Sequence, residues 1–147
     1  MSPQLKTIKE LLEENATPEG KAASESFVPT IEKIYGVRMP VINTMVKHFK
    51  VGGFELVEEL WKENSPEEKV LAVKIMGFIA KTNPEKALKL VGKFSTGINN
   101  WAVCDTIGLQ SLKQIVPTHK KEIFALAKKF NSSENLWTRR LSLVLVE

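Results

Sequence analysis

Residues 65–80 read SPEEKVLAVKIMGFIA, and we expect this stretch to form the centre of the fold. Ser65 can cap a helix whose first position is Pro66, and Glu68 at the third position completes a capping box. From residue 70 to residue 80 the side chains are apolar around most of a helical circumference, with Lys74 as the main interruption. A helix of this kind packs between neighbours, so the stretch predicts a central helix.

The same type of helix start recurs along the chain. Thr17-Pro18-Glu19 and Asn83-Pro84-Glu85 combine a capping residue with a proline and an acid, and Asn131-Ser132-Ser133-Glu134 offers another capping box. Between the starts, apolar residues recur at intervals of three and four, and no stretch alternates with a period of two. We therefore predict an all-α protein of about nine helices. The predicted ranges are 3–15, 18–27, 40–49, 54–63, 66–81, 84–94, 100–116, 120–130 and 133–147.

After the first two, the predicted helices form antiparallel pairs with a loose period of roughly 35 to 40 residues. That pattern is typical of an α-solenoid of HEAT type, in which stacked helix pairs leave a concave face for an extended partner. Lysines are spread through the later helices and could contact phosphate there, although a solvent-facing lysine is also ordinary.

Composition indicates one globular domain over residues 1–147, since 43% of the residues are hydrophobic and 26% are charged. Cys104 is the only cysteine, and the N-terminus lacks the pattern of a signal peptide, which favours a cytoplasmic location without disulfides. No apolar run approaches the roughly 20 residues that span a bilayer, so we expect no membrane association. The net charge of +4 suits a nucleic acid partner without requiring one.

Residues 99–108 read NNWAVCDTIG and place one carboxylate, Asp105, in an otherwise uncharged stretch. Residues four apart share a helix face, so Trp101 and Asp105 are predicted to form one surface. The apolar neighbours predict a partly desolvated carboxylate that a partner or a cationic ligand would stabilise. The residues alone leave a structural alternative open, in which Asp105 forms an ion pair or a cap and Trp101 belongs to the core.

Several motifs are absent, namely a glycine-rich phosphate loop, G-x-S-x-G, CxxC and HExxH. His48 and His119 lie far apart without neighbouring ligands, and we expect them at the surface or at helix ends. Cys104, inside an apolar segment, is expected to be a small core residue. The sequence therefore predicts neither a bound metal nor a cofactor.

Four short stretches occur in an order that is similar to a known family. They are Tyr35-Gly36-Val37-Arg38-Met39-Pro40, Ser65-Pro66-Glu67-Glu68-Lys69, Asn100-Trp101-Ala102-Val103-Cys104-Asp105 and Leu136-Trp137-Thr138-Arg139-Arg140. Together they resemble the signature of the AlkD-like DNA alkylation repair glycosylases, which are built from HEAT-like repeats. The resemblance covers most of the chain, and four elements in order are more specific than any one of them.

The resemblance implies a right-handed α-solenoid of HEAT-like antiparallel helix pairs with a concave DNA-binding face. It implies that Asp105 is the catalytic carboxylate and that Trp101 packs against the deoxyribose of the damaged nucleotide. Arg140, with Arg139 beside it, would contact the DNA backbone near the lesion. The implied reaction is hydrolysis of the N-glycosidic bond of cationic N3- or N7-alkylated purines in double-stranded DNA. Neither a base-flipping pocket nor a cofactor nor an obligate protein partner is implied.

The chain departs from the family at its C-terminus. Family members continue for several helices past the arginine element, whereas this chain ends in an apolar run over residues 144–147 without a stop signal. We therefore expect a domain that is truncated at its C-terminus relative to the family. The alternative function is a non-catalytic HEAT-like scaffold that binds DNA structure or a protein partner. The presence of Trp101 and Asp105 argues against that alternative, and the missing helices argue for it.

Overall fold

The computed structural model describes residues 2–25, 34–63, 65–95, 101–132 and 141. All secondary structure in these ranges is helical, which confirms the predicted all-α class. The α-helices are α1 (Pro3–Glu14), α2 (Pro18–Glu25), α3 (Met39–Phe49), α4 (Gly53–Trp61), α5 (Pro66–Ile79), α6 (Pro84–Ser95), α7 (Trp101–Thr106) and α8 (Lys120–Asn131). Short 3₁₀ turns cover Lys50–Gly52, Ala80–Thr82 and Lys113–Ile115, and a π-helical turn covers Ile107–Ser111. Within the described ranges, no helix is both long enough and apolar enough to cross a membrane.

The predicted central helix is confirmed as α5, which packs against α3, α4 and α7. Every side chain from Val70 to Met76 is buried, so α5 has core contacts around its whole circumference. Its start is the predicted cap, because the Ser65 hydroxyl accepts the N–H of Glu68 at 3.0 Å. The cap and the apolar circumference together explain why this segment forms the centre of the fold.

Two carboxylates at the start of α5 hold the chain that precedes α3. Glu67 accepts the backbone N–H groups of Tyr35 at 3.3 Å and Gly36 at 2.9 Å. Glu68 accepts the hydroxyls of Tyr35 at 3.3 Å and Ser65 at 2.9 Å. Gly36 has a φ of +83°, and a Cβ there would lie 2.4 Å from a backbone nitrogen of α2, so only glycine fits. Two of the four stretches that resemble the family therefore form one structural unit.

An ion-pair cluster attaches α1 to the same unit. The Lys9 ammonium pairs with Glu63 and lies 3.3 Å from the Oε2 atom of Glu68, a residue that is only 1% exposed. Burial acts to lower the pKa of Lys9, but the hydrogen bond to Glu63 and the charge of Glu68 outweigh it and raise that pKa. Since a buried carboxylate needs a counter-charge, Lys9 stabilises the start of α5.

The prediction of one continuous α-helix over residues 100–116 is wrong. The predicted helix 100–116 is described from residue 101 onward and changes from α7 to the π-helical turn and then to a 3₁₀ turn. Gly108 is a weak helix former, and the Ser111 hydroxyl donates to the Val73 carbonyl at 2.9 Å, so packing against α5 stabilises the wider turn. The predicted helix 133–147 lies outside the described residues except for Leu141, which is helical and buried.

Helix α5 contacts α4, which precedes it in the chain, and α7, which follows two helices later. The solenoid arrangement, its concave DNA-binding face and the extent of the single domain stay predictions.

The two confirmed caps allow a matched stability test. Ser65 is fully buried, whereas Asn83, whose side chain accepts the N–H of Lys86 at 3.2 Å, is exposed. We expect Ser65→Ala to lower the free energy of unfolding by about 1–2 kcal/mol, and Asn83→Ala by about 0.5–1 kcal/mol. Urea unfolding followed by circular dichroism measures both losses. Equal losses would show that burial of the Ser65 cap and its hydrogen bond to Glu68 add nothing to the free energy of unfolding.

Candidate active site on the seventh helix

Helix α7 is anchored by three fully buried residues, Val103, Cys104 and Ile107, the last of which begins the π-helical turn. They belong to the same hydrophobic core as α5, and the two helices are in contact. Cys104 is therefore the small core residue that the sequence predicted. With these residues directed into the core, the partly exposed residues of α7 form its accessible side.

Asp105 lies on that accessible side and is half-buried, which confirms the predicted partial desolvation. Trp101 begins the same helix four residues earlier, so the structure places both residues on one helical turn, although the Trp101 side chain lies outside the described part. Arg139 and Arg140 also lie outside the described residues. Trp101 and Asp105 thus lie on the same helix, whereas their shared surface and the position of the two arginines stay predictions.

Contacts with α5 hold the turn that follows Asp105. A Cβ at Gly77 would lie 2.6 Å from the carbonyl oxygen of Gln110, so the absence of a side chain lets the backbones approach closely. The bond from Ser111 to the Val73 carbonyl adds a second attachment. Turns of the π type occur frequently at functional sites, and this one fixes the chain beyond Asp105 against the central helix α5.

A groove of about 350 Å³ lies between the C-terminal half of α5 and this turn. Its lining residues are Lys74, Gly77, Phe78, Gln110, Lys113 and Gln114. Lys74 is only 8% exposed, and its Nζ atom donates to the Gln110 side-chain oxygen at 3.1 Å. Burial lowers the pKa of Lys74 from its ordinary value.

The mouth of the groove is basic and partly apolar. Phe78 is 47% exposed, and the Lys50 ammonium lies 5.2 Å from the centre of its ring. Lys113 is exposed on the opposite side. Sequence reasoning missed this groove as a site, although a lysine that interrupts an otherwise apolar helix was a signal of it.

The two histidines lie where the sequence predicted. His48 is exposed on α3, and His119 precedes α8 with its Nδ1 atom 2.7 Å from the Thr118 hydroxyl. In the part of the chain that the structure describes, no three His, Cys, Asp or Glu side chains cluster as metal ligands. The charged side chains that the structure describes on α7 and in the groove are Asp105, Lys74 and Lys113.

The described residues form an all-helical protein with a half-buried carboxylate on α7, and the turn after α7 forms one wall of a basic groove. A family model described as DNA alkylation repair enzyme matches residues 8–146, and the chain belongs to this family. No curated protein and no solved structure matches it. The resemblance found in the sequence is therefore confirmed. Membership supports a role in DNA alkylation repair, suggests enzymatic activity and implies DNA as the substrate.

Proposed function

We propose that this protein is an alkylpurine DNA glycosylase, which hydrolyses the N-glycosidic bond of cationic N3- or N7-alkylated purines in duplex DNA. The observation that supports this function is Asp105, a half-buried carboxylate on a helix attached to α5, in a member of a DNA alkylation repair family. The proposed substrate lies on the concave face of a HEAT-like solenoid. An open face of this kind needs no base-flipping pocket and accommodates bulky adducts.

The charge of the substrate explains why one carboxylate suffices. Ordinary glycoside hydrolysis uses two carboxyl groups, one of which protonates the leaving oxygen. An N3- or N7-alkylated purine already carries a positive charge, so it leaves as a neutral base when it takes the electron pair of the glycosidic bond. Protonation of the leaving group is therefore unnecessary.

Asp105 stabilises the charge that develops as the glycosidic bond lengthens. Positive charge moves onto the deoxyribose in the transition state, and a carboxylate in a partly desolvated site stabilises it more than water does. Water then adds its oxygen to C1′ and releases a proton, which Asp105 or solvent accepts. The products are the free alkylpurine and an abasic deoxyribose in an intact strand.

The other predicted site residues position the substrate in this proposal. Trp101, one turn before Asp105, offers its ring to the electron-poor sugar in an interaction related to cation–π attraction. Arg140, with Arg139 beside it, contacts backbone phosphates and sets the register of the duplex. No cofactor takes part.

A pair of substrates tests this function. We expect the chain to accelerate release of 7-methylguanine from a duplex above the spontaneous rate. It should leave uracil in the same position untouched, because uracil is uncharged in the nucleotide and would leave as an anion unless an acid protonated it. Release of free base over time, at a fixed salt concentration, measures both reactions.

Three results would contradict parts of the proposal. Acceleration with both bases would mean that the protein protonates or stabilises an anionic leaving base, which contradicts a mechanism that depends on a cationic base. Acceleration with neither would exclude a glycosylase in this chain. Tight binding of the duplex without any release would favour the non-catalytic scaffold.

A further inference from the structure

Lys74 is a buried cation that has no counter-charge among the described residues. It lies in the middle of the apolar helix α5, and among the residues that the structure describes no carboxylate lies within ion-pair distance of it. Its hydrogen-bond partner is a neutral amide, the side chain of Gln110. Burial of a charge is costly unless the charge is paired, so an anion that enters the groove would relieve the cost.

The groove provides further donors for such an anion. Besides Lys74, its lining includes the ammonium of Lys113 and the side-chain amides of Gln110 and Gln114, and it contains no carboxylate. Ammonium and amide groups donate hydrogen bonds, and phosphate oxygens accept them. A volume of about 350 Å³ open to solvent admits one phosphate group of an extended chain.

We propose that this groove binds a backbone phosphate of the DNA strand that carries the lesion, with Lys74 as its buried cation. The ligand is DNA because the chain belongs to a DNA alkylation repair family, and the location is part of the site in the proposed function. Gln110 lies in the turn that directly follows α7, five residues after Asp105. We place the bound phosphate on the strand that carries the lesion because Gln110 and Asp105 belong to one continuous helical segment.

Binding to undamaged duplex tests this contact without any base excision. We expect Lys74→Met to weaken binding about three- to tenfold at low salt and to reduce the slope of log K against log[salt] by about one. Lys74→Arg keeps a cation, so its slope of log K against log[salt] should stay close to that of the original chain. Fluorescence anisotropy over a series of KCl concentrations gives both quantities.

Two controls separate a phosphate contact from general effects. Lys121→Met removes one exposed charge from α8 and should change the slope less than Lys74→Met. Methionine keeps most of the apolar stem of lysine and removes a charge that burial disfavours. Lys74→Met should therefore unfold at the same urea concentration as the original chain or a higher one.

The proposal fails if Lys74→Met binds the duplex with unchanged affinity and slope, or if Lys121→Met produces an equal loss. It also fails if the original chain binds no DNA. Inorganic phosphate at constant ionic strength should compete poorly with DNA. Strong competition that disappears in Lys74→Met would reassign the groove to a free anion. A reduced slope together with a failure to release 7-methylguanine would support the phosphate contact and reject only the glycosylase.

Discussion

Asp105→Asn should lower the rate constant for 7-methylguanine release by about 10²–10³-fold, the usual loss when one preorganised electrostatic group is removed from a transition state. The substitution keeps the size of the side chain and removes its negative charge. Stabilisation of the developing oxocarbenium charge is lost, whereas contacts with the phosphate backbone remain. Single-turnover kinetics at saturating protein measure the chemical step apart from binding.

A second carboxylate serves as the matched control for Asp105. Glu122 is exposed in the first turn of α8, and Glu122→Gln removes the same charge from the chain. We expect its rate constant to equal that of the original chain. Asp105→Glu keeps the charge on a longer side chain and should lose less activity than Asp105→Asn. An Asp105→Asn variant with the original rate constant, or an equal loss in Glu122→Gln, would contradict the assigned role.

The elements that could be predicted from the sequence depend on neighbours along the chain. Ser65 and Glu68 are three residues apart, so their cap is visible in the sequence and its hydrogen bond confirms it. The placement of Trp101 and Asp105 on one turn also follows from local spacing. The fold class and the spacing of Trp101 and Asp105 along one helix could therefore be predicted without any tertiary contact.

The features that could not be predicted depend on contacts between distant residues. Glu67 binds the backbone of Gly36 and Lys74 binds Gln110, pairs that are 31 and 36 positions apart. The π-helical turn likewise depends on contacts with α5, because the weak helix propensity of Gly108 does not by itself specify a π turn. The groove is formed by long-range contacts of Lys74 and Gly77 with Gln110, so the interruption of the apolar stretch by Lys74 was visible in the sequence and the groove was not.

Gly77→Ala should destabilise the protein, whereas Gly92→Ala should stabilise it, although both glycines lie inside helices. A Cβ at position 77 meets the Gln110 carbonyl at 2.6 Å, and backbone cannot move aside without separating α5 from the π-helical turn. Such overpacking costs about 1–3 kcal/mol. At position 92 the nearest atom is a Leu126 methyl at 3.8 Å, so alanine fits and gains about 0.5–1 kcal/mol from its helical preference.

Gly77→Ala should also affect the rate of the proposed reaction, because the turn that it displaces continues directly from the helix of Asp105. A small misplacement of a catalytic group costs up to about 10²-fold in rate, so we expect Gly77→Ala to slow 7-methylguanine release by about tenfold or more. Gly92→Ala should leave that rate unchanged. Urea unfolding and single-turnover release measure the two effects on the same samples. If Gly77→Ala were as stable and as active as the original chain, the close approach of α5 to the Gln110 carbonyl would be excluded, and Asp105 would not depend on this contact for its position.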